Sequence, residues 1–362
     1  MTIFGCLTLG SSCLRRSESG LSKVSQYFGV TLKAAKSRQD SYDFLRTFVA
    51  DNHDWSGKAA PNSDVIVPKL RAKLSKLSKE EFAFLLCHSG FIPEEYEHDS
   101  SEETIYTKLV EALVQEWAIR IGFLETDLPK QKSSKEDITI KDDTSIIVCD
   151  AKSFRLGRSQ KAPNVKDALK EGDIAKWLDA YKTGKHSALG GLVTFPSQHD
   201  WSGGSDFYLY LTKKELPIVC LFYEHLAFML VADIGKSQFV NLYRQYGALF
   251  PSQLKKRDGN RSQYWQKVFA YLFSGHKEWP EFASVAQDVI KEKVYHTIRG
   301  VETHLHDIRK AIAQDIPANA TAIQLREMLV DARFKLETFA VDRQLLCIKS
   351  FRDHATTYLP DE

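Results

Sequence analysis

The sequence lacks closely spaced cysteines. Its six cysteines are scattered over 362 residues, and none forms the Cys-x-x-Cys pair that is typical of zinc ribbons and thioredoxin-like redox sites. Most of them stand in apolar surroundings, which favours reduced core residues in a cytoplasmic protein. A disulfide scaffold is therefore excluded.

Long apolar runs and an excess of one charge are also missing. The most apolar run, residues 217–232, contains Glu224 and His225 and is shorter than the roughly 18 residues that span a bilayer. With 49 basic and 47 acidic residues the net charge is only +2, so the overall charge does not indicate a nucleic-acid-binding protein. No Walker A motif supports ATP-driven movement, and no Gly-x-Ser-x-Gly supports a serine hydrolase. We expect no contact with a membrane.

The composition that remains is that of a globular protein. Hydrophobic residues make up 43% and charged residues 27% of the chain, and at about 150 residues per domain the length allows one large domain or two ordinary ones. We expect three regions: a helical N-terminal extension over 1–65, a catalytic core over 66–250, and a helical C-terminal region over 251–362 that clamps DNA or forms a dimer.

The pattern of elements predicts a mixed α/β sheet flanked by helices. Ser78 and Glu81 have the spacing of a capping box before an apolar run. Farther on, short β-branched or apolar segments alternate with a helical one, as in proteins with a central sheet. The predicted strands are 137–140, 146–151, 190–195 and 217–222.

The last third is predicted to be helical. Two series of apolar residues follow heptad spacing, and they are Val294, Ile298, Val301, Leu305, Ile308 and Ile312, then Leu325, Leu329, Ala332, Leu336 and Phe339. A short connector containing Pro317 predicts an αα-hairpin. Each series either packs within the chain or contributes to a dimer interface.

Chemistry is concentrated where the strand 146–151 ends. Asp150 and Lys152 are two residues apart, so an extended backbone places both side chains on one face, and Asp137 opens the strand expected to pair with it. Carboxylates of this kind bind Mg²⁺, and the carbonyl of Ala151 is a further oxygen ligand. A nearby lysine can orient and help deprotonate a water, so the set suits phosphodiester hydrolysis.

The bare pattern of these residues is not specific, and a surface Asp/Lys pair at the end of a strand is the alternative interpretation. Two features favour a site: the preceding strand is strongly apolar, and basic residues follow it. A phosphate backbone near such charges would be attracted. The basic residues that we expect to contact DNA here are Arg155, Arg158, Lys161 and Lys166.

The run VCDAKSFRLGRSQK closely resembles the catalytic segment of the HindIII-type restriction endonucleases, which are members of the PD-(D/E)XK nuclease superfamily. The letters DAKSFRL of that family stand at Asp150–Leu156. Similar segments lie upstream, at Ser89–Leu113, and downstream, at Leu221–Leu230. The resemblance covers roughly residues 78–232.

This resemblance implies a type II site-specific deoxyribonuclease with a PD-(D/E)XK core. Such an enzyme is a Mg²⁺-dependent homodimer that cuts both strands of double-stranded DNA at a short palindrome similar to AAGCTT, leaving 5′-phosphates. It implies a prokaryotic, cytoplasmic protein whose DNA methyltransferase is encoded nearby.

The resemblance assigns roles to individual residues. Asp150 carries over as a metal ligand and Lys152 as the catalytic lysine. Asp167 matches a further acidic residue after allowance for two inserted residues. The upstream carboxylate is open between Glu125, Glu136 and Asp137, of which Asp137 is preferred because it opens the paired strand.

Other residues have two interpretations each. Glu111 either approaches the site from its helix or is a solvated helix carboxylate. The basic stretch Lys255, Lys256 and Arg257 either clamps DNA phosphates or forms a solvated loop. Two other functions compete with the restriction enzyme: a repair or structure-specific nuclease on the same fold, and a non-catalytic DNA-binding protein.

Overall fold

The computed structural model describes residues 26–28, 35–53, 62–128, 135–157, 169–182, 186–197, 216–250, 261–315 and 322–352. These residues form one sheet of strands β1 Glu125–Asp127, β2 Ile138–Lys141, β3 Ser145–Ala151, β4 Ser187–Phe195 and β5 Ile218–Phe222. The helices are α1 Ala35–Tyr42, α2 Phe44–Asn52, α3 Ser63–Leu74, α4 Lys79–His88, α5 Ser101–Arg120, α6 Glu171–Asp179, α7 Tyr223–Val231, α8 Lys236–Arg244, α9 Tyr246–Leu249, α10 Arg261–Leu272, α11 Trp279–Asp315 and α12 Ile323–Arg352.

The sheet is mixed, as predicted, with its strands in chain order. β1, β2 and β3 pair antiparallel, whereas β3, β4 and β5 pair parallel. Every residue of β5 is buried, and β3 is buried except at its last residue, Ala151. Parallel strands buried on both faces need helices on both sides of the sheet, so β3 ends inside the protein rather than at an open edge.

Two helices that support the sheet begin at caps visible in the sequence. α4 begins at Ser78 with both hydrogen bonds of the predicted capping box to Glu81. α5 begins at Ser100, whose side chain accepts a hydrogen bond from the backbone of Glu103. α5 packs against β1, β2 and β3 and is the helix nearest the start of the sheet.

One hydrophobic core joins the N-terminal helices to the sheet. Leu45, Phe48 and Val49 of α2 belong to the same buried cluster as the residues of β3. The boundary expected between residues 65 and 66 falls inside α3. The division into three regions therefore remains a prediction about what each region does. None of the helices in the described ranges is both long and apolar enough to cross a membrane.

The predicted αα-hairpin is confirmed. α11 and α12 run antiparallel, joined by ion pairs between Arg309 and Asp331 (2.5 Å) and between Lys349 and Glu302 (3.0 Å). The connector with Pro317 lies outside the described residues. The apolar series of α11 is buried or half-buried, from Val294 to Ile312.

The apolar series predicted for α12 is exposed, whereas a series that packs within the chain would be buried. Leu329, Leu336 and Phe339 are 54%, 80% and 71% exposed. α12 instead turns a second series toward α11, in which Val330 and Ile348 are buried. The cause is that α12 has two apolar faces, and the single face of α11 can cover only one of them.

The segment after β3 is held by the residues that follow α4. Phe91 and Phe154 form a parallel bridge, and the backbone N–H of Ile92 donates to the carbonyl of Phe154 at 3.0 Å. Farther along, the backbone N–H of Gly157 donates to Oε1 of Glu94 at 2.9 Å. The direction of the chain as it leaves the sheet is therefore fixed by two separate anchors.

A glycine shapes the centre of the sheet. The register between β3 and β4 shifts between Ile146 and Ile147, which leaves Leu189 as an extra residue of β4. The next residue, Gly190, has φ +156°, and a Cβ there would lie 2.2 Å from the carbonyl oxygen of Pro217. Only a residue without a side chain fits such a bulge beside a backbone oxygen.

We predict that Gly190→Ala lowers the free energy of unfolding by about 2–4 kcal/mol, because the new methyl group must displace backbone in the core. Gly300→Ala is the control: Gly300 lies in α11 with no heavy atom within 4 Å of the new Cβ, and alanine should stabilise the helix by about 0.5–1 kcal/mol. Urea denaturation of the three proteins measures both changes. Equal stabilities for the two variants would contradict this account of the bulge.

A second prediction concerns Glu94. Burial raises its pKa from 4.5 to about 6, although the backbone N–H of Gly157 and the charge of Arg155 act in the opposite direction. A carboxyl whose folded pKa is raised stabilises the fold below pH 4 and loses that contribution as the pH rises through 6. Relative to Glu94→Gln, the free energy of unfolding of the wild-type protein should therefore fall by about 2 kcal/mol between pH 4 and pH 7.

Urea denaturation at several pH values measures this difference. Glu97→Gln, which changes an exposed carboxylate of the same segment, is the matched control and should follow the wild-type curve. If the difference in free energy of unfolding between wild type and Glu94→Gln is constant over this pH range, burial does not raise the pKa of Glu94.

Candidate active site at the end of β3

Asp137 and Asp150 lie side by side on neighbouring strands. The register pairs Ile138 with Cys149, so Asp137, one residue earlier, stands opposite Asp150. The backbone N–H of Asp137 donates to the carbonyl of Cys149 at 3.0 Å, which extends the ladder to this point. Directly opposed residues point to the same face of a sheet, so the two carboxyl groups meet.

The electrostatics of this pair are unfavourable when both groups are charged. The pKa of Asp137 is raised to about 6, chiefly by burial and next by the charge of Asp150 and a hydrogen bond with it. The N–H of Ala151, which donates to Oδ2 of Asp137 at 2.9 Å, and the charge of Lys152 act against this rise. Near neutral pH the pair therefore attracts either a proton or a cation.

Lys152 provides the nearest positive charge. Its Nζ lies 2.5 Å from Oδ2 of Asp150, and its side chain is 14% exposed. Its backbone is fixed on both sides: the N–H donates to the carbonyl of Thr194 at 2.9 Å, and the hydroxyl of Tyr223 donates to its carbonyl at 2.8 Å. Three elements, β3, β4 and α7, thus hold one lysine.

Sequence reasoning did not single out Thr194 and Tyr223. Tyr223 stands within the segment Leu221–Leu230 that carries part of the resemblance, and it begins α7 immediately after β5. A buried tyrosine needs a partner for its hydroxyl group, but nothing in the sequence shows that the partner is the backbone of Lys152.

The two other upstream carboxylates do not join the pair. Glu136 is buried, and it accepts a hydrogen bond of 2.6 Å from the hydroxyl of Thr139 and another from that of Tyr181. Glu125 pairs through its backbone with Lys141, four positions along β2 from residue 137, or about 13 Å at the rise of a strand. Of the three candidates, the structure brings only Asp137 to Asp150.

Glu111 is not a solvated helix carboxylate. It lies buried on α5, where Lys108 forms an ion pair with it. Burial raises the pKa of Cys149 well above its ordinary value, and the charges of Asp137, Asp150 and Glu111 add to this rise. Glu111 therefore stands within electrostatic range of the candidate site and forms part of its surroundings.

The expectation that Arg155 contacts phosphate needs correction. The Arg155 side chain is 6% exposed and forms an ion pair with Glu103 at 3.2 Å. Its guanidinium also donates to the carbonyls of Pro93 and Glu97, at 3.1 and 3.3 Å. Since these groups surround the guanidinium inside the protein, Arg155 ties the segment after β3 to the residues before α5.

The remaining predicted residues cannot be placed. Residues 158–168 and 251–260 lie outside the described ranges. They include Arg158, Lys161, Lys166, Asp167, Lys255, Lys256 and Arg257.

The donor atoms at the end of β3 suit a magnesium ion. In the described part of the chain no group of three or more His, Cys, Asp or Glu side chains could hold a metal, so a metal here would depend on two carboxylates and other oxygens. Oδ2 of Asp150 is buried, and the Nζ of Lys152 lies 2.5 Å from it. Mg²⁺ is commonly bound by one or two carboxylates and several waters. Asp137 and Asp150 fit that requirement.

Comparisons with known proteins identify the family of this chain. The model of the HindIII restriction endonuclease family matches residues 46–336, well over half of the chain and longer at both ends than the stretch recognised by resemblance. Among solved structures, the small subunit of the heterodimeric restriction endonuclease R.BspD6I is similar, with 12% identity, a TM-score of 0.33, and coverage of 46% of this chain and 91% of that subunit. A comparison with curated protein sequences gives no match. The chain belongs to the HindIII restriction endonuclease family.

Proposed function

We propose that the protein is a type II restriction endonuclease that hydrolyses both strands of double-stranded DNA at a short palindrome similar to AAGCTT, leaving 5′-phosphates, with Mg²⁺ as cofactor. The observation that carries this proposal is the set of buried Asp150 and half-buried Asp137 and Lys152 in a chain of this family. In this proposal the three residues form a PD-(D/E)XK site, with one carboxylate just before β2, the other on β3 and the lysine two residues after the second one.

In this proposal Asp137, Asp150 and the carbonyl of Ala151 hold the metal. When bound, Mg²⁺ supplies charge compensation at the attacked phosphate and lowers the pKa of a water molecule. Asp137 presents a fixed carboxylate, because the N–H of Ala151 holds its Oδ2 at 2.9 Å.

Lys152 orients the attacking water and stabilises the charge that develops on the phosphate. Its ammonium group is kept in place by Asp150 at 2.5 Å, and its backbone cannot shift because Thr194 and Tyr223 hold it. A positive charge positioned before reaction is more effective than a mobile one, since it costs no reorganisation during the reaction.

The wider proposal concerns the DNA and its partners. Arg158, Lys161, Lys166, Lys255, Lys256 and Arg257 would contact phosphates, and Asp167 would assist catalysis. A palindrome presents the same sequence twice about a two-fold axis, which a homodimer matches with one site per strand. The enzyme would act in a prokaryotic cytoplasm, where a methyltransferase encoded nearby protects the host DNA.

Digestion of an unmethylated plasmid of known sequence with Mg²⁺ tests the proposal. Wild type should give discrete fragments whose sequenced ends share one palindrome. Lys152→Ala and Asp150→Asn should each lose cleavage by about 10³-fold or more, given the size of electrostatic and metal contributions, yet both should still shift the cognate DNA in a gel. Lys141→Ala, which removes a lysine paired with Asp127 on the same sheet, should cleave like wild type.

Different results identify the rival functions. Cleavage at forks, flaps or damaged bases without a shared sequence would indicate a repair or structure-specific nuclease. Retention of wild-type cleavage by Lys152→Ala would remove the catalytic assignment. DNA binding by wild type without any cleavage would indicate a non-catalytic DNA-binding protein.

A further prediction separates the neighbouring carboxylates. Asp137→Asn should abolish cleavage, because it removes a charged ligand beside Asp150. Glu136→Gln should keep cleavage within about tenfold, since Glu136 points to Thr139 and Tyr181 instead, although it should lower stability by about 1–2 kcal/mol. Single-turnover cleavage and urea denaturation measure the two effects. The reverse order of activities would place the metal on the other face of β2.

A further inference from the structure

The feature that the active site leaves unexplained is the outer face of α12. The face toward α11 contains Val330 and Ile348, both buried, and Phe334, half-buried. About half a turn around the helix a second apolar strip faces solvent. Its large members are exposed by 54–80%, and they are Met328, Leu329, Leu336, Phe339 and Leu346.

This strip is at the upper end of the apolar patches that a monomeric protein exposes. Its five large side chains expose on the order of 600 Å², compared with roughly 800 Å² per partner in an interface of standard size. Its positions also follow heptad spacing: Leu329, Ala332, Leu336, Phe339, Arg343 and Leu346 succeed each other by 3, 4, 3, 4 and 3 residues. Such a series is the seam of a helix that packs against another helix along its length.

We propose that α12 pairs antiparallel with α12 of a second copy of this chain. An antiparallel seam places Leu336 opposite Phe339 of the second copy and Leu329 opposite Leu346. The two-fold axis repeats each contact, as an isologous interface requires. The centre of the interface then consists of four side chains, Leu336 and Phe339 from each copy.

Charge supports a second copy as the partner. In the same antiparallel register Lys335 of one helix lies beside Asp342 of the other, and the axis forms this pair twice. A parallel arrangement would place Lys335 beside Ala340 of the second copy instead, which offers no opposite charge. DNA is a less suitable partner, because its backbone phosphates bind basic side chains. Within the strip Arg343 is the one basic residue among the apolar ones.

The position of α12 links this surface to catalysis. A Cβ on Gly157 would lie 3.2 Å from Cα of Gln344, so α12 packs directly against the segment that leaves the candidate site. Pairing through α12 would therefore fix the distance between two Asp150 and Lys152 sites. The inference rests on the proposed function for its role in double-strand cleavage, but the pairing itself is a property of the chain.

Sedimentation velocity of the full-length protein tests the pairing without reference to activity. Wild type should have about twice the mass of the 41.2 kDa chain, and Leu336→Glu combined with Phe339→Glu should have the mass of one chain. Both positions are exposed, so this variant should fold and keep the wild-type circular dichroism spectrum. His306→Glu combined with Ala311→Glu, at exposed positions of α11, is the control and should remain dimeric. A monomeric wild type or a dimeric Leu336/Phe339 variant would overturn the proposal.

Cross-linking tests the orientation. In a background with Cys6, Cys13 and Cys347 changed to serine, Leu329→Cys and Leu346→Cys proteins should form a disulfide dimer under mild oxidation only when they are mixed. Alone, two copies of residue 329 would be about 25 Å apart, given 17 residues at the helical rise. Efficient cross-linking of Leu329→Cys with itself would contradict the antiparallel arrangement.

Plasmid cleavage then separates this inference from the proposed function. The Leu336/Phe339 variant should convert supercoiled plasmid to nicked circles and yield at least tenfold less linear product than wild type. If wild type pairs through α12 but cleaves no DNA, the pairing stands and the proposed function fails. If wild type linearises DNA and the variant does so equally well, the function stands and the pairing through α12 fails.

Discussion

The structure depends on two carboxyl groups that lie beside each other at the end of β3, that of Asp150 buried and that of Asp137 half-buried. Burying one ionised carboxylate costs several kcal/mol unless a partner compensates it, and a second one of the same sign adds repulsion. The pKa of Asp137 is raised, so compensation is incomplete, and among the described residues Lys152 is the cation that contacts Asp150. An arrangement of this kind persists only where the surrounding fold leaves the side chains no other position.

The sheet supplies that constraint. β3 has antiparallel β2 on one side and parallel β4 on the other, so both carboxylates and the lysine are placed by backbone pairing rather than by flexible loops. The bulge at Gly190 adjusts the register of β4 before the site begins. Beyond β3, the hydrogen bond from Gly157 to Glu94 and the ion pair of Arg155 with Glu103 hold the chain in place. The chain therefore does not move to relieve the repulsion between Asp137 and Asp150. The fold thus holds the carboxylates in positions that isolated side chains would avoid.

Sequence reasoning predicted the elements better than it predicted the surfaces. Strand positions, the capping box at Ser78 and the αα-hairpin follow from local patterns, because periodicity and caps act within a few residues. Asp137 was preferred among three carboxylates because it opens a strand, which is also a local argument. The buried state of Arg155 was not foreseen, since its partners Glu103 and Glu97 are about fifty residues away in the chain. The same reason hid the link from Tyr223 to Lys152.

The apolar series of α12 shows the limit of pattern reading in another way. Heptad spacing correctly predicted a helix with a packing seam, but it does not specify which of two seams meets the neighbouring helix. That choice depends on the competition between the two faces for a single surface of α11, and only the three-dimensional packing decides it.

The hydrogen bond from the backbone of Ala151 to Asp137 has a spectroscopic consequence. The amide proton of residue 151 points at a carboxylate oxygen rather than at a carbonyl of a neighbouring strand. Its chemical shift in an NMR spectrum depends on the charge of that carboxylate, which a proton or a divalent cation would change. A single backbone resonance therefore reports the charge state of the candidate site, even in a protein to which no substrate has been added.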